Sequence, residues 1–67
     1  MQITINGDEM EIAKDVLTVQ DLLVSFQLHN KGAIVELNQE ILHKKEYETR
    51  RLTNKDRIEI VHFVGGG

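Results

Sequence analysis

The last three residues, Gly65, Gly66 and Gly67, carry the most unusual chemical feature of the sequence. They follow directly on a run of β-branched and aromatic residues over 58–64, which is typical of a strand. Glycine has no Cβ, so residues 65–67 are expected to form a flexible tail that can enter a narrow groove. Fully extended, such a tail reaches roughly 10 Å beyond the strand and ends in the carboxylate of Gly67.

A terminal carboxylate is an anion that only accepts hydrogen bonds, and it is a poor electrophile as it stands. It can attack the α-phosphate of ATP, however, and the resulting acyl-adenylate acylates sulfur or amines. A glycine acyl group suits this chemistry because no side chain crowds its carbonyl. The alternative interpretation is an ordinary frayed terminus. Frayed ends are usually polar, whereas this one runs from an apolar strand into glycine, so we expect Gly67 to be the reactive position.

The other side chains offer little chemistry. The sequence has no cysteine, which excludes disulfides, thiolate catalysis and cysteine-based metal sites. His29, His43 and His62 lack the spacing of metal ligands. Asp56 is expected to be a turn residue and not a catalytic one. We therefore expect no catalytic residue, no metal and no bound cofactor.

Length and charge narrow the class further. A chain of 67 residues forms one domain with a small core. The formal net charge of -3 argues against nucleic acid as a partner, because phosphate binding needs a basic surface. No apolar run approaches the ~20 residues that span a membrane. The first residues resemble a strand and not a signal peptide, so we expect a cytoplasmic protein without membrane contact.

The first half of the chain predicts a hairpin followed by a helix. Residues 1–6 alternate in polarity, Asn6-Gly7 is a favoured hairpin turn, and a second strand includes Met10 and Ile12. Thr18 is the expected helix N-cap, with Asp21 three residues on. The expected apolar stripe of the helix consists of Val19, Leu22, Leu23 and Phe26. The helix is expected to end near 28–32, with Gly32 or Asn30 in the left-handed closing position.

The second half predicts strands again. Residues 33–37 form a third strand, 38–40 a turn, 41–42 a short fourth strand and 44–51 an irregular crossing with Tyr47. A polar turn over 53–57 precedes the final strand. This order is α+β: a ubiquitin-like β-grasp with a mixed sheet of four to five strands and one main helix on one face. We assign residues 1–64 to this domain and 65–67 to the tail.

Parity along the final strand predicts a docking surface. If Ile58 and Ile60 face the helix, Val61 and Phe63 share the opposite, open face with Glu59. Ile34 extends the same apolar patch from its own strand. We expect partners to dock on Ile34, Val61, Phe63 and Val64. The alternative is an irregularity that reverses the parity and packs Phe63 into the edge of the core.

With this size, fold and terminus, the sequence resembles the ThiS family, the sulfur carriers of thiamin thiazole biosynthesis. The resemblance spans the chain and is most specific over residues 56–67, which are close to the terminal pattern of that family. Leu22-Leu23, residues 35–38 with Ile41, and residues 45–47 resemble it as well. One departure is Lys55, which occupies a turn position where the family often has glycine.

The resemblance implies a protein co-substrate and not an enzyme. An adenylating enzyme similar to ubiquitin-activating enzymes would use ATP to adenylate Gly67. Sulfur from a cysteine desulfurase or another donor would displace AMP and leave a thiocarboxylate, which thiazole synthase would consume. Two alternatives remain open at this point: a related carrier for molybdopterin synthesis, and a non-catalytic β-grasp interaction domain.

Overall fold

The computed structural model describes residues 1–29 and 32–62, which form one mixed sheet with one α-helix on one face. The elements are β1 (Gln2–Ile5), β2 (Asp8–Glu11), α1 (Val19–Ser25), β3 (Ile34–Leu37), β4 (Glu40–Ile41), a 3-10 turn at Lys44–Glu46 and β5 (Arg57–Val61). The strand order is β2-β1-β5-β3-β4, with β1 and β5 parallel and the other pairs antiparallel. The predicted β-grasp fold is therefore confirmed.

The first hairpin turns on two residues with positive φ, as the sequence predicts. Asn6 has φ 49° and Gly7 has φ 88°, and Ile5 pairs directly with Asp8. This register puts Ile3 and Ile5 on the helix side, where both are buried. Met10 pairs with Ile3 but stays 38% exposed, because β2 is the edge strand and the helix covers it poorly.

The start of α1 is set by a reciprocal capping box. The Thr18 hydroxyl accepts a hydrogen bond from the Asp21 amide at 3.1 Å, and the Asp21 carboxylate accepts from the Thr18 amide at 3.1 Å. The Leu17 amide also donates to that carboxylate, at 2.9 Å. Hydrogen bonds to the ionised carboxylate lower the pKa of Asp21 below its ordinary value. The bonds from the Leu17 and Thr18 backbone amides are the largest cause. The predicted N-cap is confirmed.

The end of α1 differs from the prediction. The helix ends at Ser25, and Gln27 adopts the left-handed conformation with φ 61°. The Leu28 amide donates to the Leu23 carbonyl at 2.7 Å and the Gln27 amide donates to the Val24 carbonyl at 2.9 Å. This pair of bonds is a Schellman motif, which satisfies the last carbonyls of the helix.

Three sequence predictions at this end are thereby corrected or left open. Gly32 does have a left-handed φ of 65°, but it lies beyond the helix end and does not close it. Asn30 lies outside the described residues. Phe26 is the C-cap residue and is 38% exposed, so it does not continue the buried stripe of the helix. The stripe stops at Leu23 because the chain leaves the helical path within one turn.

Like the first hairpin, the second turns on two residues with positive φ, but neither of them is glycine. They are Asn38 at 50° and Gln39 at 70°. Its short strand β4 begins one residue earlier than expected, at Glu40. Beyond it, Tyr47 is buried and its hydroxyl donates to the Ala33 carbonyl at 3.0 Å. Lys55 has φ 75°, so this turn takes the left-handed conformation although it lacks glycine.

The core lies between the helix and one face of the sheet. Its buried apolar residues are Ile3, Ile5, Ile12, Val16, Val19, Leu22, Leu23, Ala33, Val35, Leu37, Leu42, Tyr47, Leu52, Ile58 and Ile60. Strands β1 and β5 contribute to it from alternate positions, which leaves their other residues on the opposite face of the sheet. We call that opposite surface the outer face.

Candidate functional site

The candidate site is the outer face of the sheet near the C-terminal end of β5. Ile58 and Ile60 are buried, whereas Val61 is 59% exposed, so the predicted parity of this strand is confirmed. Residues 63–67 lie outside the described residues. The roles predicted for Gly65, Gly66, Gly67, Phe63 and Val64 therefore stay predictions.

The structure brings Ile34 and Val61 together. They are directly opposed in the antiparallel pairing of β3 with β5, and their side chains are 47% and 59% exposed. Cross-strand partners lie on the same face of a sheet, within contact distance of each other. The predicted apolar pair on the outer face is thus present, and its use as a docking surface stays a prediction.

Ile41 is a third apolar residue of this face that the sequence analysis did not assign. It pairs with Glu36, which is on the same strand and the same face as Ile34, and it is 67% exposed. The signal was available in the two-residue turn at Asn38-Gln39, because that turn length fixes which residues oppose each other. We call Ile34, Ile41 and Val61 the apolar patch.

Next to the apolar patch, the outer face is acidic. Glu36 and Glu59 are directly opposed across β3 and β5, and no cation among residues 1–29 and 32–62 forms an ion pair with either. The two carboxylates line an open depression of about 460 Å³ together with Asn38, Gln39 and Arg57. A partner on this surface would meet apolar side chains beside two carboxylates and Arg57.

Two asparagine side chains bind the backbone of β5, one at each end. At the C-terminal end, the Ile60 amide donates to Asn6 Oδ1 at 2.8 Å and Asn6 Nδ2 donates to the Ile60 carbonyl at 3.2 Å. At the N-terminal end, the Arg57 amide donates to Asn38 Oδ1 at 2.9 Å. Both asparagines occupy hairpin turns, and sequence reasoning identified Asn6 only as a turn residue.

Two polar residues considered in the sequence analysis, Asp56 and His43, make hydrogen bonds that hold local turns. Asp56 is buried and its carboxylate accepts from the Thr53 amide at 2.7 Å, the Thr53 hydroxyl at 2.9 Å and Asn38 Nδ2 at 2.9 Å. It is therefore the turn residue that was predicted. The His43 amide donates to Glu46 at the 3-10 turn. Within the described part of the chain, no three His, Cys, Asp or Glu side chains form a group that could hold a metal ion.

The geometry provides a strand that is hydrogen-bonded on both sides and an exposed apolar patch beside two carboxylates. The side chains of this surface are two glutamates, two amides, one arginine and three branched aliphatics. Across residues 1–29 and 32–62, no helix has the length and apolar character that crossing a membrane requires. The chemistry of the site depends on the group at the end of the segment after β5, which is the carboxylate of Gly67.

Comparisons with known proteins identify the family. The sequence matches the ThiS family over residues 3–67. It is 52% identical over 65 residues to the sulfur carrier protein ThiS of Bacillus subtilis, covering 97% of this chain and 98% of that protein. It is also 36% identical over 67 residues to a thiazole synthase of Paramagnetospirillum magneticum, where it covers this whole chain and 20% of that protein.

The fold comparison agrees with the sequence comparison. The structure is similar to the crystal structure of a thiamine biosynthesis protein, ThiS, from Geobacter metallireducens, with a TM-score of 0.82 and 29% sequence identity. The similarity covers 100% of both chains. Because a family match over nearly the whole sequence and a full-length relative agree, the chain belongs to the ThiS family.

Proposed function

We propose that this chain carries sulfur on the carboxylate of Gly67 for the synthesis of the thiamin thiazole ring. The observation that carries the proposal is the 52% identity to a sulfur carrier protein over almost the full length of both chains. The family match also extends to Gly67 itself. The protein is a carrier, which means a co-substrate of other enzymes and not a catalyst.

The proposed loading takes two steps. A Gly67 carboxylate oxygen attacks the α-phosphate of ATP, which forms an acyl-adenylate and releases pyrophosphate. Sulfur at the oxidation level of hydrosulfide then attacks the acyl carbon and AMP leaves, so that one oxygen of the carboxylate is replaced by sulfur. The chain has no cysteine that could hold the sulfur instead. A glycine at the reacting position leaves the carbonyl open to both attacks.

The partners follow from these steps. An adenylating enzyme similar to ubiquitin-activating enzymes supplies the ATP chemistry. The sulfur comes from a cysteine desulfurase persulfide, which a thiol reduces to hydrosulfide while a disulfide forms, or from another hydrosulfide donor. Thiazole synthase takes the sulfur from the thiocarboxylate. This last partner is supported by relatives named thiazole synthase in which a region similar to this chain makes up about a fifth of the protein. We place the carrier in the cytoplasm, since its loading consumes ATP.

The described structure supports this proposal because β5, the strand that precedes the tail, is held firmly in the sheet. β5 is hydrogen-bonded on both sides, and its last residue, Val61, lies beside Ile34 on the outer face. We propose that partners bind Ile34 and Val61, with Phe63 and Val64 continuing the contact, while residues 65–67 extend into the partner. Binding at a fixed base leaves only a short segment to be guided to the reacting atoms, which keeps the entropic cost of positioning low.

The first experiment tests the reacting group by intact-mass measurement. After incubation with ATP, the adenylating enzyme and a sulfur donor, the native chain is expected to gain the mass of one oxygen-to-sulfur exchange. Fragmentation is expected to place the exchange on Gly67. The control is a chain with one bulky residue added after Gly67, which should not load because its side chain blocks both attacks. Sulfur on an internal residue, or normal loading of the extended chain, would refute the proposal.

The second experiment tests the docking face. Ile34→Asp is expected to weaken binding to the adenylating enzyme and to thiazole synthase by about tenfold or more, because an unpaired polar group is buried at the interface. The matched control is Val24→Asp on the helix, because Val24 has the same exposure of 47% but lies on the opposite side of the sheet. Equal binding by the two variants would contradict the assigned face.

A further inference from the structure

The Asn6 side chain extends the sheet where the β1 backbone can no longer do so. The parallel pairing of β1 with β5 stops at Ile5 and Ile58, because the chain turns back at Asn6-Gly7. Without a further partner, the Ile60 backbone amide and carbonyl would have no hydrogen bond on that side. The Asn6 carboxamide fills the position by accepting from the Ile60 amide and donating to the Ile60 carbonyl. It therefore acts as one more residue of the β1 strand.

The other side of Ile60 is held by β3. Val35 pairs with Ile60 and Ile34 pairs with Val61 in the antiparallel ladder. With Asn6 on one side and β3 on the other, β5 remains flanked up to its last residues. The last residues of β5 are thus held by two elements that are far apart in sequence.

Asparagine meets two requirements at this turn. Its φ of 49° is in the left-handed region, where asparagine and glycine are tolerated best. Its carboxamide presents an N–H donor and a carbonyl acceptor side by side, as the Ile60 backbone needs. Glycine would satisfy the first requirement only, and aspartate would keep the acceptor and lose the donor.

We propose that Asn6 is a positioning residue for sulfur loading, because it fixes the end of β5 from which the chain continues to Gly67. This inference rests on the proposed function of Gly67. With the Asn6 bonds in place, β5 is held on both sides as far as Ile60. Without them, Ile60 is released on the β1 side, the base of the tail moves more freely, and the carboxylate spends less time at the reacting atoms.

The chain offers a matched control in Asn38. This residue also occupies a hairpin turn at φ 50°, and its side chain also makes two hydrogen bonds, one from the Arg57 amide and one to Asp56. Its bonds lie at the opposite end of β5, away from the tail. Asn38→Gly therefore removes a comparable set of bonds without releasing Ile60.

The first measurement is amide hydrogen exchange in the free protein. Asn6→Gly is expected to speed exchange at the Ile60 amide by about tenfold relative to Asn38→Gly, since that amide loses its acceptor. Asn38→Gly is expected to speed exchange at Arg57 instead. Asn6→Asp should keep Ile60 slow, because the carboxylate still accepts its bond. Equal Ile60 exchange in the two glycine variants would overturn the proposal.

The second measurement is the loading rate at saturating and limiting concentrations of folded carrier. Asn6→Gly is expected to lower kcat by about threefold or more with little change in KM, because binding is retained and positioning is lost. Asn6→Asp should recover part of that loss. A purely structural role would lower the folded concentration alone, and kcat per folded molecule would match Asn38→Gly, which would overturn the inference. Failure of the native chain to load would refute the proposed function itself, whatever the exchange data show.

Discussion

At the scale of single residues, the opposed pair Glu36 and Glu59 stands out on the outer face. Like charges directly opposite each other on neighbouring strands destabilise a sheet, because their side chains lie within a few ångströms. No cation in the described part of the chain neutralises them by an ion pair. The free protein therefore carries a repulsion on the face that we assign to docking.

Reversing one charge of the pair is expected to stabilise the fold. Glu59→Lys should raise the free energy of unfolding by roughly 0.2–1 kcal/mol, since an opposite-charge pair replaces a like-charge pair. Urea denaturation at low ionic strength measures the change. The double variant with Glu36→Lys restores like charges and should lose the gain. A double variant as stable as Glu59→Lys would show that the two side chains do not interact.

The capping carboxylate of Asp21 predicts a dependence of stability on pH. Its folded-state pKa is lowered by the Leu17 and Thr18 amides, so it stabilises the fold above the unfolded-state pKa of about 4 and loses this effect as pH falls through the folded value. Asp21→Asn should be less stable than the native chain at pH 7, and the difference should shrink in acid. Urea midpoints across pH measure it, with Asp15→Asn as a control for losing one charge. A difference independent of pH would contradict the assignment.

At the scale of elements, the sequence predicted the start of the helix and the first hairpin turn better than the end of the helix. Thr18 and the Asn6-Gly7 turn have strong local signals, and the alternation of β5 determined which of its residues are buried. The end of the helix had no such signal, because Gln27 takes a left-handed conformation that glycine or asparagine usually occupies. The outer position of Ile41 depends on cross-strand register, which no single-strand pattern reveals.

The unusual helix end predicts a stabilising substitution. Gln27→Gly should raise the free energy of unfolding by roughly 0.5–1 kcal/mol, as the following two terms give. A left-handed conformation costs a residue with a Cβ about 1–2 kcal/mol, and glycine avoids this cost. Part of the gain is lost because glycine gives up more conformational entropy on folding. The matched control is Gln20→Gly inside the same helix, which should lower stability by about 0.5–1 kcal/mol. Thermal unfolding followed by circular dichroism compares them. Destabilisation by both variants would contradict the described helix end.

At the scale of the whole molecule, the helix and the sheet depend on each other. α1 has seven residues, whereas isolated helices shorter than ~12–15 residues are marginal in water. Its buried residues Val19, Leu22 and Leu23 pack in the same core as the sheet residues. The helix is therefore stable only when the sheet is formed.

This dependence predicts a single unfolding transition. Tyr47 is the only tyrosine, no tryptophan is present, and its buried hydroxyl donates to the Ala33 carbonyl, so its fluorescence reports core packing. The midpoints from Tyr47 fluorescence and from helical circular dichroism are expected to coincide. Leu23→Ala should shift both by the same amount and cost about 2–5 kcal/mol. Separate midpoints would show that the helix and the sheet unfold independently.

The position of β5 also constrains how the protein is made. Within the sheet that residues 1–29 and 32–62 form, the β1–β2 hairpin and the β3–β4 hairpin meet only through β5, which the ribosome synthesises after both. A nascent chain that stops before β5 holds two separate hairpins, and isolated hairpins are marginally stable at best. Products of incomplete synthesis are therefore expected to stay unfolded and open to proteases, whereas every folded molecule already contains the strand that precedes the proposed reacting group.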